Sequence, residues 1–83
     1  MNRLEALGAA IREARQKKNL SQEKLAELAS LHRNFVGLVE RAATKLAIDS
    51  LFAISDALGV PTSVLLSRAE ELASCTGPKN IEA

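Results

Sequence analysis

The chain of 83 residues has a single cysteine, no tyrosine or tryptophan, and only two phenylalanines. One cysteine, Cys75, cannot form an intramolecular disulfide, which indicates a reducing compartment and a fold held by its core or by pairing with another copy. Two aromatic side chains are too few for a surface that stacks successive single-stranded bases. Because no apolar run approaches a membrane span and the N-terminus is charged at Glu5, Arg12 and Glu13, we expect a cytoplasmic protein without membrane association.

Residues for catalysis and metal binding are also scarce. His32 is the sole histidine, so no nucleophile, base and orienting group can be assembled around it. We predict that His32 caps a helix or packs against the core. His32 and Cys75 do not have metal-ligand spacing, and glycine-rich phosphate loops are absent. The sequence therefore predicts no enzyme activity, no metal and no cofactor.

The composition is that of one globular domain whose charge is unevenly distributed. At 47% apolar and 25% charged residues the chain is close to the globular average, and its length limits it to one core. Residues 1–45 contain nine Lys or Arg and five Glu, a net charge of +4, whereas residues 46–83 have a net charge of −3. The basic half is suited to bind a polyanion, and the acidic half is suited to face water or a partner.

Apolar residues recur at helical spacing along the chain, and no alternating run predicts a strand. The pattern predicts five short helices, over about residues 3–18, 21–29, 32–41, 48–58 and 61–73, with Ser21 as an N-cap and Gly59 as a C-terminal residue. The residues expected to face inward are Leu4, Leu7, Ile11, Ala14, Leu25, Leu28, Ala29, Val36, Val39, Leu51, Ile54, Leu58, Val64, Leu65 and Leu72. Residues 75–83 lack periodicity and are predicted to be a flexible tail. The fold class is all-α, with one domain over residues 1–74.

The two faces of the third predicted helix differ in chemistry. At about 100° per residue, His32, Phe35, Val36 and Val39 face the core. The residues of the opposite face are Arg33, Asn34, Gly37, Leu38 and Arg41. Arginine pairs with guanine and asparagine with adenine in the major groove, and an adjacent glycine lets the helix approach. The alternative interpretation is an ordinary solvated face.

Residues 7–66 resemble the helix-turn-helix family of lambda-type phage repressors, Cro proteins and their bacterial relatives. The matching strings are LSQEKLA at 20–26, LHRNFV at 31–36, VER at 39–41 and LGV at 58–60. Within the family the pattern L-x-R-x-[YF]-[VI]-x-x-x-E-R is most similar to the controller proteins of restriction-modification systems. The resemblance implies a lambda-repressor-like domain with the helix-turn-helix at its second and third helices. It also implies a homodimer that regulates transcription from paired double-stranded DNA operator half-sites.

The resemblance also implies roles for individual residues. Base reading falls to Arg33, Asn34, Gly37 and Leu38. Gln22, Arg41 and Lys45 are expected to bind phosphate. The alternative for Gln22 is an ordinary polar residue in the first turn of a helix, and the alternative for the two cations is an ordinary solvated charge. Arg15 and Glu40 match a partly buried ion pair that ties the first helix to the third in some family members.

Apolar residues late in the chain exceed what one short helix has to bury. The family's twofold dimer reads half-sites about 34 Å apart, so a self-pairing surface is expected on the fifth helix. The residues predicted for it are Phe52, Val64, Leu65, Leu66, Ala69 and Leu72. The alternative is that they close the core of the protomer.

The sequence departs from the family at two turns and one cap. Ser30 and Ala42 stand where the family commonly has glycine in turns that require positive φ, which predicts either reshaped turns or lower stability. Leu46 and Ala47 replace a common Pro and Ser, so the fourth helix lacks a side-chain cap, although Asp49 lies in its first turn. Two alternative functions stay open: an antitoxin-type autorepressor, and a protein-interaction module that has lost DNA binding, of which Ser30 and Ala42 would be the signs. RNA polymerase is a partner only of an activator, and no feature of the sequence identifies a patch for it.

Overall fold

The structure, a computed structural model, describes residues 1–74; the predicted flexible tail, residues 75–83, lies outside the described residues. The described residues form five α-helices and no strand, which confirms the all-α fold class. The helices are α1 (Arg3–Lys17), α2 (Gln22–Leu28), α3 (Phe35–Glu40), α4 (Ile48–Leu58) and α5 (Thr62–Ser74). Four helices agree with the predicted ranges to within one residue at each end. The exception is α3, which begins three residues later than predicted.

Side chains near the helix starts satisfy the free peptide N–H groups there. Oδ1 of Asn2 accepts from the peptide N–H of Glu5 at 2.8 Å, while Oε1 of Glu5 accepts from the N–H of Asn2 at 3.0 Å, forming a capping box for α1. Oγ of Ser21 accepts from the N–H of Lys24 at 2.9 Å, which confirms the predicted N-cap of α2. Ala47 precedes α4 without a side-chain cap, also as predicted.

A hydrogen-bonded turn delays the start of α3 to Phe35. The peptide N–H of Phe35 donates to the carbonyl of His32 at 2.9 Å, and Nδ1 of His32 accepts from the N–H of Asn34 at 3.2 Å. His32 is exposed, so its predicted place on the core side is wrong, and it serves the turn as a local hydrogen-bond acceptor. Arg33 and Asn34 consequently lie on the turn, ahead of the first helical residue.

The first four helices end in the same hydrogen-bond pattern, in which two successive peptide N–H groups reach back into the last turn. At the end of α3, the N–H of Ala42 donates to Val39 at 3.0 Å and that of Ala43 to Leu38 at 2.8 Å. The residues at the four bends are Asn19 (φ 58°), Ser30 (58°), Ala42 (55°) and Gly59 (71°). The turns at Ser30 and Ala42 therefore keep the left-handed geometry despite a β-carbon.

One apolar core lies where the five helices meet. Its buried members are Ile11, Leu25, Ala26, Ala29, Val36, Val39, Leu51, Ile54, Leu58 and Leu65, and a smaller cluster of Ala6, Ala10 and Ala69 joins α1 to α5. The inward placement of Leu4, Leu28 and Val64 is wrong, because their exposed fractions are 41, 50 and 51%. Leu25, Ala26 and Ala29 cover the inner side of the short α2, and Leu65 takes the inward position beside Val64.

Two polar contacts fix α5 against its neighbours. Arg68 donates from Nε and Nη2 to the two carboxylate oxygens of Glu13 on α1, at 2.9 and 3.0 Å. This hydrogen bonding lowers the pKa of Glu13 and raises the pKa of Arg68. At the corner between α4 and α5, the buried Ser55 donates to the carbonyl of Phe52 at 3.1 Å and accepts from Thr62 at 2.5 Å.

The α4–α5 corner also separates two apolar helices. Within residues 1–74, no single helix is long and apolar enough to cross a membrane. Ile48–Leu58 and Thr62–Ser74 reach that length and composition only when taken together, across a bend of 102°.

Glycine at the left-handed bend after α3 should stabilise the protein. The β-carbon of Ala42 costs about 1 kcal/mol in this conformation, so we expect Ala42→Gly to raise the melting temperature by about 4–8 °C. The matched control is Ala43→Gly, at a neighbouring exposed residue without positive φ, which should lower it or leave it unchanged. Circular dichroism on heating measures both. Equal destabilisation by the two substitutions would contradict the strain at Ala42.

Candidate nucleic-acid interface

The predicted pair of Arg15 and Glu40 forms a two-pronged ion pair between α1 and the last residue of α3. Nε of Arg15 donates to Oε2 of Glu40 at 2.7 Å, and Nη2 donates to Oε1 at 3.1 Å. Nη1 of Arg15 donates to the carbonyl of Leu20 at 2.7 Å. The side chains are only 10% and 3% exposed. Each of these buried charges requires the other, because removal of either partner would leave an uncompensated charge out of contact with water.

Gly8 allows α1 to touch the end of α3 directly. A β-carbon built at Gly8 would lie 2.6 Å from the carbonyl oxygen of Val39 and 2.7 Å from that of Glu40. Backbone atoms cannot give way as a flexible side chain can, so this contact requires glycine. The sequence analysis missed Gly8, and the available signal was an isolated glycine within a helical pattern.

Gln22 connects the start of α2 to the same ion pair. Its Nε2 donates to Oε1 of Glu40 at 3.0 Å, so that carboxylate receives hydrogen bonds from α1 and α2 while it belongs to α3. The side-chain amide of Gln22 is thereby held at the junction of the three helices. Nε2 retains a second N–H, which remains available for a phosphate oxygen.

The structure corrects the predicted place of Gly37. Gly37 is buried rather than open to a groove, because the side chains of Gln22 and Arg41 lie over it. A β-carbon at Gly37 would be 3.2 Å from Oε1 of Gln22 and 3.2 Å from Nη1 of Arg41. The missing side chain makes room for these two predicted phosphate-binding groups. Leu38, predicted to face bases, is half-buried.

The predicted base-reading side chains that remain free of the core are Arg33 and Asn34. Both are exposed on the turn before α3, and they line one surface depression with Gln22 and Glu23. The Arg33 side chain is 74% exposed, with Nη1 at 3.9 Å from Oε2 of Glu23. The sequence analysis gave Glu23 no role. Lys45 is exposed on the loop between α3 and α4.

The predicted self-pairing residues divide between the core and the surface. Leu65 and Ala69 are 2% and 3% exposed, so they belong to the protomer core and their assignment to a subunit seam is corrected. Leu72 is half-buried against the Ala6–Ala10 cluster. The exposed members are Phe52 (50%), Val64 (51%) and Leu66 (41%), and Ile48, which the sequence analysis missed, is 60% exposed. Ile48 lies one helical turn before Phe52 and extends the apolar face of α4.

Comparison with known proteins agrees with this arrangement. The helix-turn-helix family model matches residues 11–65. Control protein C.SmaI of Serratia marcescens is 39% identical over 64 residues, which cover 77% of this chain and 76% of that protein. Control protein C.BamHI of Bacillus amyloliquefaciens is 42% identical over 60 residues, covering 71% and 74%. The crystal structure of the restriction-modification controller protein C.AhdI from Aeromonas hydrophila has a TM-score of 0.73 at 37% identity, covering 75% of this chain and 94% of that one.

The fold, the α2–α3 unit and these matches define the class. The chain belongs to the helix-turn-helix family and is a DNA-binding transcriptional regulator. Within that family it groups with the control proteins of restriction-modification systems, which confirms the resemblance seen in the sequence.

Removal of the buried carboxylate of Glu40 should strongly destabilise the folded protein. We expect Glu40→Ala to cost about 3–5 kcal/mol of the free energy of unfolding, because it strands the Arg15 charge. The matched control is Glu27→Ala, which breaks an exposed pair with Lys24 at 3.6 Å and should cost at most about 1 kcal/mol. Urea unfolding followed by circular dichroism compares the two. Similar losses in both variants would refute the central role of Glu40.

Proposed function

We propose that the protein is a homodimer that inserts its α2–α3 unit into the major grooves of paired operator half-sites. The observation that carries this proposal is the exposure of Arg33 and Asn34 beside Gln22, whose amide is hydrogen-bonded to the buried Glu40. Arg33 donates two parallel hydrogen bonds to O6 and N7 of guanine, and Asn34 pairs with N6 and N7 of adenine. Because both lie on the turn before α3, the N-terminal end of α3 enters the groove.

Three further side chains bind phosphate in this arrangement. Gln22 and Arg41 meet over Gly37, and the buried Glu40 fixes the amide of Gln22. Lys45 adds a cation on the loop after α3. Such contacts hold the unit in register on the duplex and add an affinity that falls with salt, without reading sequence.

The exposed apolar residues of α4 and α5 support a twofold dimer. We assign Phe52, Val64 and Leu66 to the subunit seam, and Ile48 extends it along α4. Exposed side chains of this size lose water contact when a second copy covers them. Two copies read two half-sites about one helical turn apart, which supplies the affinity that one small domain lacks.

The kinship with control proteins favours the regulation of restriction-modification genes over the other functions considered. An antitoxin-type autorepressor would use the same DNA-binding unit, so the genes it regulates distinguish it. A protein-interaction module that has lost DNA binding is less well supported, because Ser30 and Ala42 keep the turn geometry of the unit. We place the dimer in the cytoplasm, on the nucleoid when bound to DNA, and RNA polymerase is a partner only if the protein activates transcription.

Arg33→Ala tests the assignment of the base reader. Selection of bound duplexes from a random pool first gives the operator, its symmetry and its half-site spacing. We then expect Arg33→Ala to lower the preference for the selected duplex over a random one by about 1–3 kcal/mol per half-site.

The control for this experiment is Lys45→Ala, which should weaken binding to both duplexes alike and reduce the salt dependence. Fluorescence anisotropy over a range of salt concentrations measures both variants. A preference that survives Arg33→Ala would exclude Arg33 as the base reader, and a pool that yields no enriched duplex would exclude the proposed function.

The subunit seam is tested by truncating one exposed residue. We expect Phe52→Ala to weaken dimerisation about tenfold, because the ring is covered only in the dimer. Leu28→Ala is the matched control, since Leu28 is also 50% exposed but lies on α2, and it should leave the dimer unchanged. Sedimentation at micromolar concentrations measures the dissociation constant. A monomeric unmodified protein would disprove the dimer.

A further inference from the structure

A carboxylate lies beside the candidate base-reading guanidinium. Oε2 of Glu23, in the first turn of α2, is 3.9 Å from Nη1 of Arg33, on the turn before α3. The two side chains are 72% and 74% exposed, and they line one depression with Gln22 and Asn34. The acid therefore stands on the face that the proposed function turns toward DNA.

The ion pair with Arg33 adds little to folding stability at this place. Solvent screens an exposed ion pair, so the contact between Glu23 and Arg33 contributes little to the folded state. On a surface that meets DNA, the carboxylate also repels phosphates and weakens binding to every duplex. Apart from the slight stabilisation that an acid gives the first turn of α2, what remains is the effect of Glu23 on the guanidinium beside it.

We propose that Glu23 is a specificity-determining residue that acts through Arg33, an inference that rests on the proposed function. A guanidinium has five N–H donors, so Arg33 faces Glu23 with one edge and donates to O6 and N7 of guanine with the other. Because the carboxylate compensates its charge, Arg33 is attracted less to phosphate in a random duplex. The two acceptors of guanine still bind it through directed hydrogen bonds. Glu23 thus lowers binding to random DNA more than binding to the operator.

The test compares two duplexes of equal length, one selected from a random pool by the unmodified protein and one with its sequence scrambled. Fluorescence anisotropy with the full chain gives both affinities over a range of salt concentrations. We expect Glu23→Gln to tighten binding to the scrambled duplex. The ratio of selected to scrambled affinity should fall by about two- to fivefold per subunit, the range that an exposed ion pair supplies.

Glu27→Gln is the matched control. It removes the same charge from α2 at a similar exposure of 71%, but the neighbour of Glu27 is Lys24, at 3.6 Å. The affinity ratio should therefore stay unchanged, whatever the change in overall affinity. An equal fall of the ratio in both variants would show that net charge alone matters and would overturn the proposal.

A double-mutant cycle separates an effect through Arg33 from an effect on α2 itself, whose first turn an acid stabilises slightly. In an Arg33→Ala background, Glu23→Gln should leave the affinity ratio unchanged, because the side chain it acts on is absent. An unchanged ratio in the single variant, or an equal fall in both backgrounds, would overturn the proposal. If the unmodified protein enriches no duplex at all, the proposed function fails, which is a different result from a selective protein that is indifferent to Glu23.

Discussion

The carboxylate of Glu40 is the group on which the rest of the molecule depends. Glu40 is the last residue of α3, and its side chain is almost fully buried. The carboxylate accepts hydrogen bonds from Arg15 on α1 and from Gln22 on α2. The close backbone contact at Gly8 brings the end of α3 near enough to α1 for these bonds to form. A buried charge tolerates little displacement, because each lost partner leaves it unsolvated. The relative positions of three helices are therefore set by one side chain.

This arrangement links the core to the surface that we propose binds DNA. Gln22 is bonded to Glu40 and shares with Arg41 the space above Gly37, so the amide of Gln22, one phosphate-binding group of the proposal, starts from a defined position. Arg33 is exposed, and among residues 1–74 its ionic neighbour is the carboxylate of Glu23, at 3.9 Å. In the proposed complex, a fixed amide thus contacts the invariant phosphate backbone, and a less restrained guanidinium contacts the variable base edges.

Much of this could be predicted from the sequence, and the failures have physical causes. Helical spacing and the Ser21 cap determine four helices to within one residue, because those signals are local. The start of α3 was predicted too early, since the turn at His32 is formed by hydrogen bonds that no apolar pattern reveals. Burial of Leu65 rather than Val64, and of Gly37 beneath two side chains, follows from how helices are placed against each other. Those positions depend on contacts between distant parts of the chain.

The delayed start of α3 also bears on any attempt to move binding preference between proteins. Arg33 and Asn34 sit on a turn that His32 braces, so their directions are not those of a helical wheel. Grafting the six residues of α3 into another scaffold would leave both behind. The smallest transplantable unit is residues 21–41, which carries the bracing imidazole, the neighbouring acid and the anchoring carboxylate together. Its recipient must also offer a counterpart to Arg15 and a glycine where the helices touch.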